Sequence, residues 1–416
     1  MSTQLPRAAQ TGATSRAAGL WPVLLCWLAV ALDGYDLVVL GVVIPTLLDS
    51  EALGFTGPTI TTASTLGLVG MGIGAILIGP LTDRFGRRHS LIISVAVFSL
   101  CMVATGLAQS VGQFTTFRFL AGLGLGGCLP TALAFMSEHA PTGRGGSAIT
   151  RMMTGYHVGA VLSALLALWL VEDYGWRSMF VVGGALGILT LPFMWAKLPE
   201  SAAYLRAVER SEQSGAGTLA SSADVVKGRY LRISIGLCVA SFMGLLLVYG
   251  LNTWLPTIMR DAGYSIQQGT TLILVLNIGA VLGLLVAGHI ADTRGNKRAV
   301  LAWFGLAAVF LALLSIKMET RLLVYATVLM AGIFVFSAQV LVYAFVGHLY
   351  PPEIRGTALG VAAGVGRVGA IVGPSLGGAL VTAGVAYPWG FYAFTLAAVL
   401  AALTLATVPA HVDGVV

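Results

Sequence analysis

The sequence predicts an all-α membrane protein: twelve transmembrane helices in two pseudo-symmetric six-helix bundles. Composition is the first ground. Hydrophobic residues make up 57% of the 416 residues and charged ones 10%, with a mean hydropathy of +0.89, whereas soluble domains carry about 25% charged residues. A large water-exposed domain is excluded. The second ground is segment length. Apolar stretches recur twelve times, at 21–48, 58–81, 90–109, 113–137, 147–171, 177–196, 231–258, 268–291, 299–316, 322–348, 356–383 and 388–408, each near the about 20 residues that cross a bilayer. The third is an internal repeat. Gly79-Pro-Leu-Thr-Asp83-Arg84-Phe-Gly86-Arg87-Arg88 matches Gly288-His-Ile-Ala-Asp292-Thr-Arg-Gly295-Asn-Lys297 at an offset of 209, and Pro141-Thr-Gly-Arg144-Gly145 matches Pro352-Glu-Ile-Arg355-Gly356 at 211. Both pairs fall at equivalent segment ends half a chain apart, as duplication of a six-helix unit in one orientation requires.

Residues 1–20 read as a polar cytoplasmic tail. The apolar run after it exceeds the about 7–15 residues of a signal-peptide core, so it is an uncleaved first helix. That helix is apolar except for Asp33 and Asp36 near its middle. Neither flank of the pair reaches spanning length, so both aspartates lie inside one helix, where each charge costs about 2.5–3.5 kcal/mol. The i, i+3 spacing puts both carboxylates on one face, and Gly34 lets another backbone approach. A polar pair facing a neighbouring helix is the structural reading; a coupling or substrate site is favoured.

Helices two and three flank a basic loop with Arg84, Arg87 and Arg88. Helix four carries Arg118 near its start and ends at Glu138, before Arg144. Its Gly122, Gly124, Gly126 and Gly127 read as a close-packing face, because no strand precedes them as a phosphate loop requires. Helix five presents Tyr156 and His157 at mid-depth, and helix six completes a bundle over 21–196. Residues 197–229 read as a flexible cytoplasmic linker, with an amphipathic piece at 199–209. The second bundle, 230–408, bears Asn252 and Trp254 on helix seven, Asn277 on eight, and Gln339 and Tyr343 on ten. Arg367 lies near mid-depth in helix eleven, and 409–416 form a second tail.

The net charge of +6 comes without a basic tract interleaved with aromatics, so nucleic acid is not the partner. With the N-terminus in the cytoplasm, 16 of the 23 Lys and Arg fall inside and 4 outside. That asymmetry predicts a multi-pass cell-membrane protein with both termini cytoplasmic. The four cysteines, Cys26, Cys101, Cys128 and Cys238, lie in apolar stretches without ligand spacing and read as packing residues. No hydrolase elbow, metal cluster or nucleotide loop occurs, so neither an enzyme nor a cofactor is expected.

The loop Gly79-x-x-x-Asp83-Arg84-x-Gly86-Arg87-Arg88 resembles the loop motif of the major facilitator superfamily, and the six-plus-six plan covers the whole chain. Within that superfamily, Asp33-Gly34-Tyr35-Asp36 and Gly366-Arg367-Val368-Gly369 resemble the aromatic acid:proton symporter family. The resemblance implies the major facilitator fold and proton-coupled uptake of a small aromatic carboxylate, such as benzoate or a hydroxybenzoate, by alternating access. It also implies a gating role for Asp83, Arg84, Arg87, Arg88, Glu138, Arg144, Asp292 and Arg355, with Glu138 able to form ion pairs between helix ends. A solvated loop face is an equal reading for Arg87, Arg88 and Arg298. Thr293 and Asn296 depart from the loop pattern, which implies a weaker latch in the second half.

An arginine does not readily neutralise, so Arg118 and Arg367 each need an anion or a polar cavity. Arg367 is favoured for the substrate carboxylate, where a planar fork fits, and Arg118 as partner of the aspartates. A permanent Arg118–aspartate pair stays open. Asp33 and Asp36 form the expected proton-coupling pair, with protonation freeing Arg118. Tyr156, His157, Trp254, Asn277 and Tyr343, with Asn252 and Gln339, are candidates to contact the substrate ring, interhelical packing being the alternative. The expected partners are a small aromatic acid, protons and the bilayer, handled by a functional monomer. A proton-coupled exporter is the competing function, although Gly159 to Ala167 lacks the proline that breaks helix five in many antiporters of the superfamily. A receptor or channel is disfavoured by the twofold repeat.

Overall fold

The computed structural model describes residues 20–49, 52–141, 143–202, 204–206, 209, 225–264 and 266–412. Most of the expected N-terminal tail and linker, and 413–416, lie outside the described residues. The helices are α1 (Leu20–Asp49), α2 (Gly57–Phe85), α3 (Arg87–Gly106), α4 (Val111–His139), α5 (Gly145–Tyr174) and α6 (Trp176–Lys197). They continue as α7 (Gly228–Asp261), α8 (Ile266–Arg294), α9 (Asn296–Leu314), α10 (Arg321–Leu349), α11 (Pro352–Thr382) and α12 (Ala386–Ala406). All twelve are long and apolar enough to cross a membrane. α1 runs unbroken through Asp33 and Asp36, as their position in the apolar stretch predicts.

Local chemistry sets the helix ends. Thr56 caps α2 by accepting from the Thr59 amide, in a reciprocal capping box with a proline in the first turn. Ser110 caps α4 by accepting from the Gln113 amide at 3.2 Å. α2 and α8 extend past their apolar stretches into the polar repeat and stop at Gly86 and Gly295, both at φ 90°. Only a residue without Cβ takes that backbone cheaply, so the repeat glycines, not hydropathy, place these corners.

α4 and α10, equivalent in the repeat, are the most buried helices, each 83% buried over its most apolar window. Leu100 on α3, Leu189 on α6 and Leu403 on α12 are each at least 60% exposed and face the hydrocarbon. Within the first six helices α1 packs on α5 and α2 on α4; within the second six α7 packs on α11 and α8 on α10. The two sets meet where α2 lies against α11 and α5 against α8. That pseudo-twofold contact leaves a polar centre enclosed between them.

Candidate functional site

Two buried ion pairs occupy the centre. Gly34 brings α1 against α5 so closely that a Cβ there would lie 1.8 Å from the Tyr156 carbonyl oxygen. Asp33 and Asp36 therefore sit inside the protein, 1% and 5% exposed, rather than against lipid. Asp36 is gripped by both terminal nitrogens of Arg118 from α4, Nη2 to Oδ2 at 3.2 Å and Nη1 to Oδ1 more tightly. That fork–fork pair lies wholly within the first six helices. Asp33 pairs across the halves instead, its Oδ2 3.4 Å from Nη2 of Arg367 on α11. Arg367 also donates Nη1 to the Tyr249 hydroxyl at 2.7 Å, and that hydroxyl lies 3.3 Å from the Tyr156 hydroxyl. The second carboxylate oxygen of Asp33 is buried with no hydrogen-bond partner. A buried oxygen left without a donor is costly, so this carboxylate is the less settled of the two.

A cavity of about 50 Å³ opens beside the Asp33–Arg367 pair. It has room for a few water molecules at about 10–15 Å³ each, and an aromatic ring requires it to widen. Tyr156, His157, Tyr249, Gln339 and Tyr343 supply its polar lining, and Leu129, Met153 and Phe336 are among its apolar residues. The expected ring contacts divide here. Tyr156, His157 and Tyr343 line the cavity, whereas Trp254 and Asn277 do not. The Trp254 indole donates to the Pro374 carbonyl at 2.6 Å, and the Asn277 amide donates to Ile273 O at 2.9 Å and Asn252 Oδ1 at 3.3 Å. Both residues pack helices together in this conformation. Arg118 is likewise absent from the lining, committed to Asp36.

The end of the bundle carrying the repeated basic loops is clamped twice. Asp83 accepts from the backbone of Gly356 at 3.0 Å and of Thr357 at 2.7 Å, and from the Thr357 hydroxyl at 2.6 Å. Asp292 accepts from Gly146 N at 2.7 Å, Ser147 N at 3.0 Å and Ser147 Oγ at 2.5 Å. Asp292 thus seals the positive N-terminus of α5 in the first half, and Asp83 docks on the second turn of α11 in the second. Arg87, fully buried rather than on a solvated face, joins Asp83 at 3.2 Å to Glu138 at 2.9 Å. Arg355 reaches Glu138 at 3.8 Å. Arg144, expected in the same network, is exposed and outside these ion pairs. Arg84 is also exposed, its guanidinium 5.5 Å from the Phe85 ring, and Arg88 donates to Trp195 O at 2.6 Å.

The Major Facilitator Superfamily profile matches residues 26–339 and 237–414. The chain belongs to this superfamily. This transporter is 34% identical over 416 residues to a gallate transporter of Pseudomonas putida, covering 94% of this chain and 92% of that protein. It is 37% identical over 386 residues to a gentisate transporter of Corynebacterium glutamicum, covering 92% and 86%. A benzoate transport protein of Acinetobacter baylyi is 32% identical, covering 92% and 88%. A solved structure of a proton:xylose symporter bound to 6-bromo-6-deoxy-D-glucose shares the fold, with a TM-score of 0.76, 19% identity and coverage of 94% and 95%. The chain is a transporter of the facilitator fold and not an enzyme.

Two residues that hold the central pair and the clamped end together escape a reading of segments alone. Tyr249, which holds Arg367, is three residues before Asn252 on α7, and that helical step was the available signal. Glu200 accepts from the backbone of Arg87 at 2.8 Å and of Arg88 at 3.2 Å. It lies in a stretch that otherwise reads as linker.

Proposed function

We propose that this transporter carries a small aromatic carboxylate into the cell together with protons, as a monomer with both termini in the cytoplasm. The observation carrying this reading is the Asp33–Arg367 pair, which bridges the two halves at the central cavity and leaves one carboxylate oxygen without a donor. The transport of gallate, gentisate and benzoate named for its relatives supports an aromatic acid as cargo. The concentration of Lys and Arg at the clamped end supports a cytoplasmic location for that end.

The mechanism follows from charge balance. Arg367 keeps its charge and needs one anion beside it. Before loading, that anion is Asp33. A proton on Asp33 releases the guanidinium, and the incoming carboxylate takes its fork in a bidentate contact. The site then holds the same net charge as before, and the loaded carrier reorients without burying an extra ion. A carboxylate arriving without a proton would leave two anions on one arginine. Entry of an uncompensated anion into an inside-negative cell also costs about 2.3 kcal/mol per 100 mV, which one proton cancels. Asp83 and Asp292 act as the latches that part when the clamped end opens, with Arg87, Glu138 and Arg355 between them. Tyr156, Tyr249, His157 and Tyr343 meet the ring and its substituents.

Labelled benzoate uptake and counterflow in proteoliposomes tests this. An imposed inward proton gradient should drive accumulation above equilibrium, and unlabelled benzoate inside should accelerate entry of label. Accumulation driven by an outward-directed proton gradient, and not by an inward one, would make the carrier a proton-coupled exporter and overturn the proposal.

A further inference from the structure

The repeat supplies an internal comparison at the basic end. In the first half the corner between α2 and α3 is filled by acids. Glu200, just after α6, caps the first amides of α3, and a Cβ on Gly86 would lie 2.3 Å from its carboxylate. Arg87 and Ser201 hold Glu138 beside it. The second half repeats the backbone but not these side chains. At offsets of 209 and 210, Gly86, Arg87, Glu138, Glu200 and Ser201 correspond to Gly295, Asn296, His348, Ala410 and His411. Pro199 and Pro409 set the offset of 210, and the two corners share a contact of the same kind one residue out of that register. Arg88 donates to Trp195 O at the end of α6, and its counterpart Lys297 donates to Ala406 O at the end of α12, at 3.0 Å.

A Cβ on Gly295 meets nothing within 4 Å. Where the first half is packed, the second opens a cavity of about 700 Å³ lined by Gly295, Asn296, His348, Ala410 and His411. Arg294, Lys297, Arg298 and Arg355 also line it, and among the described residues Asp292 is its one acidic lining residue. Both oxygens of Asp292 are already engaged at the start of α5. His348 and His411 face each other at 3.1 Å. The Asn296 side-chain oxygen is buried without a partner.

We infer that this cavity binds a phosphate-bearing anion of up to nucleotide size, whose oxyanion takes the place that Glu200 takes in the first half. Arg355 already reaches Glu138, which leaves Arg294, Lys297 and Arg298 facing one engaged carboxylate. Three such cations call for a polyvalent ligand, and a phosphate group carries about −1.5 to −2 charges at neutral pH. Volumes of about 300–1,000 Å³ suit ligands of that size. Ser137, Gly145 and Gly146 of the first half complete the wall, so a bound anion joins both halves and holds this end shut. Transport is thereby restrained by phosphate compounds on that side, which the proposed orientation makes the cytoplasm.

The test is equilibrium binding of inorganic pyrophosphate and of ATP to the purified full chain in detergent, without aromatic acid, so the result stands apart from the cargo proposal. Saturable binding at about 0.15 M salt is expected. Arg298→Gln should weaken it at least about tenfold. Ala410→Glu, which restores the acid of the first half, should abolish it while leaving benzoate counterflow intact. Pyrophosphate at the basic face of proteoliposomes should slow wild-type counterflow and spare Ala410→Glu. Competition by phosphatidylglycerol in mixed micelles would name a lipid headgroup as the source of the phosphate; its failure would name a soluble ester. Absence of saturable binding, or equal affinity in wild type and both variants, overturns the site.

Discussion

The two aspartates of α1 lie one turn apart and meet opposite fates. Asp36 is held by a fork that satisfies both its oxygens, and its partner Arg118 belongs to the same half of the molecule. Asp33 touches its arginine through one oxygen, and that arginine comes from the other half. A pair within a half moves as a unit when the halves rock; a pair between halves has to be remade. On the proposed mechanism the contrast gives Asp36 a structural part and Asp33 the coupling part, although residue type and burial are nearly the same. The expectation that protonation frees Arg118 therefore passes to Arg367.

Substitutions break or sharpen this contrast in descending order of effect. Asp33→Asn should abolish accumulation driven by a pH gradient yet retain exchange at equal pH, measured with labelled benzoate in the same proteoliposomes. Full accumulation by this variant would return the two carboxylates to equal footing. Asp36→Asn should instead cost about 3–5 kcal/mol of stability, because it leaves Arg118 buried without an anion. Thermal unfolding reads this, and the double variant Asp36→Asn with Arg118→Gln should recover part of the loss.

Arg367→Lys replaces a planar fork with a point charge and should weaken substrate binding by about 1.5–3 kcal/mol, or about 10- to 150-fold. Arg118→Lys should leave affinity nearly unchanged, and equal losses at both sites would show that both touch substrate. Asp83→Asn weakens an interhelical hydrogen-bonded latch by about 1 kcal/mol and should slow net transport about fivefold with equilibrium binding unchanged. Trp254→Phe, which loses one hydrogen bond to Pro374, should cost about 1 kcal/mol of stability. Substrate affinity should be unaffected, and a large loss there would bring the indole into the site.

Twelve helices, the repeat and the intramembrane charges are all legible in the sequence, because hydrocarbon tolerates neither broken backbone nor stray charge. The corner at Gly86 was visible as a loop. That the helix runs on through Asp83 to reach it was not, since hydropathy reports the bilayer and not the backbone. Trp254 and Asn277 read as candidate ring contacts because a polar group in an apolar helix signals only that it has a partner. Whether that partner is a carbonyl, another side chain or a substrate depends on which helix lies opposite.

The chain alone determined that two carboxylates and two guanidiniums share one membrane interior, for four buried charges demand one another wherever the helices go. It did not determine the pairing. Asp33 and Asp36 are interchangeable in pattern, and only depth in the helix separates Arg118 from Arg367. Only the packing of α1 against α4 and α5, with Arg367 reaching over from α11, sends one carboxylate inward to α4 and the other across the interface. The same holds at the basic end, where Ala410 is an ordinary residue in sequence and becomes informative once the fold sets it opposite the place of Glu200. Charges announce that they need partners through residue type; the partners themselves are chosen by short-range geometry, which only the tertiary structure supplies.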